Sequence, residues 1–242
     1  MSAKKDFLRL ANRLVAPAGV QFYRKGLDME SALRWLAKRD HGISGIIDLG
    51  AAKGDWSRAA LRLFPEAKVI GVEPLEERRS YLEALKKNHA RYDYEMAVAG
   101  QDEGGTVELA VTDDLDGSSI HGSEGSKRQV PVRSIDGMVA QYNLPGPYFL
   151  KFDTHGFERP ILLSAEKTLE QTRYVVMEAY NFHHTPDTLL FHEMIAFMAE
   201  RGFRVTHLVD VMNRPFDGAL WQVDLMFARA DDPVFNSENF RR

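Results

Sequence analysis

Hydrophobic spacing along the chain switches between a helical and an extended period. Phe7, Leu10, Ala11 and Leu14 share one helical face within residues 3–15, Arg9 and Arg13 lie on another, and Pro17 with Gly19 ends the segment. Residues 28–38 predict a second amphipathic helix, with Met29, Leu33, Trp35 and Leu36 on its apolar side. Ile46 and Ile47 then begin a short apolar run ending in Asp48, as a buried parallel strand does. A turn bearing Gly50 and Gly54 leads into a helix carrying Ala59, Leu61 and Leu63, which Asp55 is placed to cap. Val69, Ile70 and Val72 make the next strand, and Glu73 stands at its tip.

The same rhythm continues downstream. Residues 75–88 read as a helix, 92–98 as a third strand, and 106–111 as an alternating strand outside the parallel core. Residues 129–133 form a short extended piece, and Ser134 caps a small helix. Strands at 148–152 and 174–177 alternate with a helix at 158–165 and one that follows Thr185 and Asp187 and runs to about residue 201. A closing pair at 203–209 and 220–227 turns around Pro215 and Asp217-Gly218. This order predicts an α/β fold: a doubly wound, mostly parallel Rossmann-like sheet with an antiparallel edge hairpin and an N-terminal helical extension. We divide the chain into an extension (1–42), one catalytic-type domain (43–230) and a frayed tail (231–242).

Composition narrows the function classes. With 242 residues, 44% of them hydrophobic, the chain can bury one large core. A net charge of -4 argues against a broad nucleic-acid or anionic-membrane surface. The count of 0 cysteines excludes a disulfide, a thiol nucleophile and a cysteine zinc site, and accords with a cytoplasmic enzyme. Arginines interrupt the N-terminal apolar face, which rules against a secretory signal, and no run approaches the roughly twenty apolar residues of a membrane span.

The chemistry concentrates at strand ends, where open α/β sheets bind their ligands. Glu73 at the tip of the second strand suits a pair of ribose hydroxyls, because a carboxylate accepts two hydrogen bonds. A dinucleotide fingerprint would need G-x-G-x-x-G, yet Ala52 and Asp55 follow Gly50 at the corresponding places. An anionic side chain at the start of the helix is ill suited to a pyrophosphate. The pattern D-x-G-x-x-x-G, with Asp48 facing an ammonium and a sulfonium, fits S-adenosylmethionine better. Trp56 beside the turn is a candidate to close over the cofactor. The end of the third strand, Ala97-Val98, offers a small apolar border for adenine.

A second group of candidates lies at later strand ends. K-F-D-T-H-G-F-E places Asp153 and His155 at one strand's C-terminal edge, and Glu178 stands at the tip of the next. Asp153 is the first candidate to orient an acceptor hydroxyl or the cofactor amine. His155 is the second, since histidine titrates near neutral pH, and Glu178 is the third. Glu178 is equally placed to pair with Lys151 or Arg159. These residues with His183 and His184 supply metal-ligand types, but their spacing is no metal signature and no metal is expected. The polar, glycine-rich residues 112–127 form a loop long enough to serve as a lid over substrate.

Several motifs in this order resemble the FkbM family of methyltransferases over residues 46–229: I-D-L-G-A-A-K-G, V-I-G-V-E-P, M-A-V-A-G, D-G-S-S-I, V-P-V-R-S-I-D and K-F-D-T-H-G-F-E. The resemblance implies an S-adenosylmethionine-dependent O-methyltransferase acting on a hydroxylated sugar, polyketide or other small metabolite. By motif, Asp48, Gly50, Ala51 and Gly54 would line the methionine part of the cofactor. Glu73 would hold the ribose, and Ala97 and Val98 would border the adenine. Two alternatives remain from the residues themselves: a nicotinamide-dependent oxidoreductase on the same kind of fold, and a non-catalytic binding module. The N-terminal helices offer a surface for a homodimer.

Overall fold

The computed structural model describes residues 11, 13, 14, 17, 28–39, 42–115, 117–122, 125–183 and 185–239. Most of the helix expected at 3–15, and with it most of the dimer surface suggested above, lies outside the described residues, as does His184; residues 11, 13 and 14 are helical as expected.

Seven strands form the main sheet: β1 (Gly45–Leu49), β2 (Lys68–Val72), β3 (Tyr92–Glu95), β7 (Tyr148–Phe152), β8 (Thr172–Tyr180), β9 (Phe203–Asn213) and β10 (Leu220–Arg229). Their spatial order is β3-β2-β1-β7-β8-β10-β9. Pairings from β3 through β8 are parallel, and β10 runs antiparallel to both β8 and β9. The doubly wound sheet with its edge hairpin is as expected. The order reverses between β1 and β7, the place where such sheets open a crevice for ligands.

Strand alternation sends neighbouring residues to opposite faces, and each face buries its own core. Ile47, Leu49, Leu150 and Phe152 pack with helices α4 (Ile135–Gln141), α5 (Glu158–Leu163), α6 (Glu166–Glu170) and α7 (Phe191–Glu200). Ile46, Phe149, Tyr174 and Val176 pack with α1 (Met29–Ala37), α2 (Asp55–Leu63) and α3 (Arg79–Asn88). Asp28 caps α1, as its carboxylate accepts from the Ser31 N–H at 2.8 Å. Gly54 rather than Asp55 occupies the cap position of α2, and Asp55 is its first helical residue, paired with Arg58.

Three differences from the sequence reading matter for the site. The expected third strand breaks into β3 and a two-residue β4 (Val98–Ala99), which joins a separate sheet of order β4-β6-β5 with β5 (Thr106–Val111) and β6 (Ser126–Arg133). This small sheet carries its own apolar cluster of Leu75, Leu109, Val111 and Val130. Second, β8 extends past its apolar run because β10 supplies hydrogen-bond partners as far as Tyr180, so Glu178 lies within the strand and not at its tip. Third, the segment after residue 231 starts packed: Asp232 is buried and accepts from the Tyr174 hydroxyl at 2.8 Å.

Candidate active site

At the C-terminal ends of β1, β2 and β7 lies a cavity of ≈ 240 Å³. Leu49, Gly50 and Ala52 form its floor, Glu73 to Leu75 one side, and Ala97 to Ala99 another. Asp153, Thr154, His155 and Phe157 enter from the turn after β7, and Ser118 to Ile120 from the long polar loop. The small sheet contributes Leu109 as part of the wall. Of the sequence candidates, Gly50, Glu73, Ala97, Val98, Asp153 and His155 therefore share one cavity.

Glu73 is held firmly. One carboxylate oxygen accepts from the Ala52 N–H at 2.8 Å and the other from the Leu75 N–H at 3.0 Å. The glutamate thus ties the turn after β1 to the turn after β2. Burial raises its pKa above the usual carboxylate range, although the two N–H bonds work in the opposite direction. Each oxygen keeps acceptor capacity for a hydroxyl group.

Gly50 is required by geometry. Its φ is 73°, and a Cβ there would meet the Asp153 carbonyl oxygen at 2.1 Å. The turns after β1 and β7 approach at this point, which brings Asp153 to the cavity.

Asp48 has a different setting from the one expected. It is fully buried, accepts from the Ser57 hydroxyl at 2.6 Å, and lies 3.0 Å from the Lys151 ammonium. The cause is strand alternation: with Leu49 turned to the α5 face, Asp48 turns to the α2 face, where Ser57 waits. It is absent from the cavity wall, so it supports the turn from beneath. Ala51 and Gly54 are likewise outside the wall; a Cβ on Gly54 would meet Leu85 at 2.9 Å, so its smallness serves packing on α3. Trp56 is directed away from the cavity and packs edge-on against Phe149, 5.4 Å between centroids. It belongs to the core beneath the sheet and does not close over the cavity.

Lys151 and Arg78 are contributors that sequence reading missed. The Lys151 ammonium donates to the Gly50 and Leu49 carbonyls at 2.8 and 3.2 Å and approaches Asp153 at 3.3 Å. Burial alone would discharge it, but the carboxylates of Asp48 and Asp153 more than offset that cost, and its pKa lies above the ordinary lysine value. Lys151 therefore pairs with those two acids and not with Glu178. A lysine inside an otherwise apolar strand beside an aspartate on the neighbouring strand was the available signal. Arg78, buried at the cavity wall, acts on the Glu73 charge.

His155 sits in the left-handed region (φ 53°), followed by Gly156 at φ 89°. This turn is braced from behind by Glu158, which accepts from the Thr154 hydroxyl and the Gly156 N–H, both at 3.0 Å. The Thr185 hydroxyl donates to the Gly156 carbonyl at 3.1 Å. Burial pushes the Glu158 pKa up to about 7. Glu178 is off the cavity wall, held by the Tyr180 hydroxyl and by Gln222 at 2.8 Å. Its pKa is raised by burial first and by the Asp153 charge second. Asp224, opposite Glu178 on β10, is pushed up to about 8 by burial and then by Glu178.

Of the long loop, Leu115 and Ser118 to Ile120 line the cavity. Ser119 makes an antiparallel bridge to Ala110, and His121 is 3.0 Å from Asp187, joining this loop to the segment before α7. Among the described residues no helix is long and apolar enough to cross a membrane.

An FkbM methyltransferase from Methylobacillus flagellatus KT is 17% identical with a TM-score of 0.49; the match covers 76% of this chain and 43% of that one. An rRNA methylase from Streptococcus thermophilus is 11% identical (TM-score 0.48, 87% and 99% covered). Magnesium protoporphyrin IX methyltransferase from Synechocystis PCC 6803, solved with bound SAM, is 10% identical (TM-score 0.44, 83% and 77% covered). This chain thus spans less than half the length of the Methylobacillus protein. No curated protein matches the sequence significantly. The sequence model of the methyltransferase FkbM domain, however, matches residues 48–205 of the 242, and the chain belongs to the FkbM methyltransferase family.

Proposed function

We propose that the cavity binds S-adenosylmethionine and that the protein transfers its methyl group to a hydroxyl of a small polar acceptor. The observation that carries this reading is the placement of two carboxylates, Glu73 and Asp153, across one cavity with apolar side chains between them. Glu73 is immobilised by backbone donors and suits ribose hydroxyls. Ala97 and Val98 present a small apolar border for a flat base. At the other end Asp153 favours a cation, as an ammonium or sulfonium would require. The bound cofactor supplies an activated methyl group; the protein's own task is alignment, which accounts for much of the rate in such displacements.

To Asp153 and His155, both on the cavity wall, this reading gives the task of accepting a hydrogen bond from the acceptor hydroxyl. Ser118 and Ser119 add hydroxyls to the wall above them, which suits a polar acceptor. A dinucleotide is a poorer match. The first turn of α2 holds Asp55 and forms no part of the cavity wall, so the helix terminus that would meet a pyrophosphate is turned elsewhere.

Calorimetric titration with S-adenosylmethionine and, separately, NAD tests the reading. Binding of the former alone supports it, and binding of NAD alone overturns it. A screen of hydroxylated acceptors with labelled methyl donor then locates the transferred group. Label appearing only on nitrogen or carbon would reject the hydroxyl assignment.

A further inference from the structure

Three ligand-type side chains converge beside the cavity, although their sequence spacing carries no metal signature. Asp153 and His155 lie in the turn after β7 and Glu178 in the neighbouring strand β8. One donor atom from each lies within 4.8 Å of the other two. Donors bound to a single cation through bonds of about 2.0–2.2 Å are separated by about 3–4.4 Å. The Asp153–His155 separation of 3.8 Å is already in that range, and small rotamer changes would complete the set.

The sheet adds an independent reason for a cation. Register pairs Phe152 with Met177 and Glu178 with Asp224. Asp153, Glu178 and Asp224 therefore form a row of acids across three adjacent strands. Besides burial, Asp153 opposes the ionisation of Glu178 and Glu178 that of Asp224, and a cation among them would relieve that crowding. Lys151 is the cation nearest Asp153, and it is shared with buried Asp48. Glu178 is also oriented as a ligand would be: Tyr180 and Gln222 each donate to one of its oxygens, which fixes the carboxylate while leaving lone pairs free.

We infer that Asp153, His155 and Glu178 bind one first-row divalent cation at the cavity wall. Two carboxylates and an imidazole suit Mn²⁺ and its neighbours better than Ca²⁺, which takes all-oxygen shells. Asp153 and His155 face the cavity, so the remaining coordination positions open toward it. There the cation would hold an acceptor oxygen and lower the pKa of its hydroxyl proton. That role rests on the methyl-transfer reading, whereas cation binding itself does not.

Mn²⁺ titration of the protein without cofactor or acceptor, followed by the electron paramagnetic resonance signal of free Mn²⁺, tests the site. One Mn²⁺ per chain is expected. Affinity should fall at least tenfold in Glu178→Gln and in His155→Gly, with Ca²⁺ a weak competitor. His155→Gly removes the imidazole at a positive φ that glycine adopts freely, so it remains informative if Glu178→Gln fails to fold. No binding at millimolar Mn²⁺, or equal binding by wild type and His155→Gly, would overturn the inference. S-adenosylmethionine binding without any Mn²⁺ site would sink the cation and spare the methyltransferase reading. A Mn²⁺ site in a protein that does not bind S-adenosylmethionine would do the reverse.

Discussion

Asp48 and Lys151 are register partners on adjacent parallel strands, and their side chains meet 3.0 Å apart with no access to solvent for the carboxylate. The pair lies directly beneath the two turns that form the cavity floor. Lys151 also donates to both carbonyls that lead into the first turn, those of Leu49 and Gly50. One ammonium thus fastens β1, the turn after it and Asp153 together.

Lys151→Met should be strongly destabilising, because it leaves a buried aspartate without its counter-charge; the expected loss is about 3–5 kcal/mol. Asp48→Asn added to Lys151→Met should recover part of that loss. Urea unfolding of the single and double variants measures both, and a single variant within 1 kcal/mol of wild type, roughly the worth of an exposed pair, would show the pair to be unimportant.

Gly50→Ala places a methyl group 2.1 Å from the Asp153 carbonyl at a φ of 73°. The two turns must then separate, at a cost of about 3 kcal/mol. For a chain of this size the thermal midpoint should fall by roughly 6–12 °C. Scanning calorimetry decides it, and an unchanged midpoint would mean that the turns have room to move.

Glu73→Ala removes the proposed ribose ligand and the acceptor of the Ala52 and Leu75 N–H groups. Affinity for S-adenosylmethionine should drop at least tenfold, or about 1.4 kcal/mol, with circular dichroism unchanged. A dissociation constant equal to that of wild type would remove the ribose assignment.

Glu158 supplies a pH dependence whose sign follows from burial. Its folded pKa, about 7, is above the ordinary glutamate value of 4.5. Between those values the folded protein holds a proton that the unfolded chain has released, so the contribution of Glu158 to stability is full below pH 4.5 and is lost as pH rises through about 7. The full decline attributable to this residue is on the order of 3 kcal/mol. Glu158→Gln should flatten that part of the profile, measured by denaturation at several pH values. Parallel profiles for variant and wild type would show that the carboxyl does not titrate there.

Much of the architecture was legible locally. The apolar runs at β1, β2 and β7, the glycine turn and Glu73 at a strand end each carry their meaning within a few residues, because strand burial and ligand position follow from the period of the chain and the direction of the strand. Ala97, Val98 and Asp153 follow from the same rule as strand-end residues, and the structure puts all three on the cavity wall. Trp56 and Asp48 were misplaced by it, because proximity to the turn in sequence says nothing about which sheet face a side chain takes.

The sequence by itself determined the doubly wound order of elements, the cysteine-free chemistry and the acids available at strand ends. Tertiary structure decided which of those acids meet. Register set Asp48 against Lys151, because paired strands present matching residues to the same face. The antiparallel partner β10 extended β8 and drew Glu178 into the sheet opposite Asp224, a pairing separated by 46 positions along the chain. Packing of the small three-stranded sheet then carried Leu109 and the loop at Ser118 and Ser119 over the cavity. Such contacts depend on long-range pairing, which no local periodicity encodes.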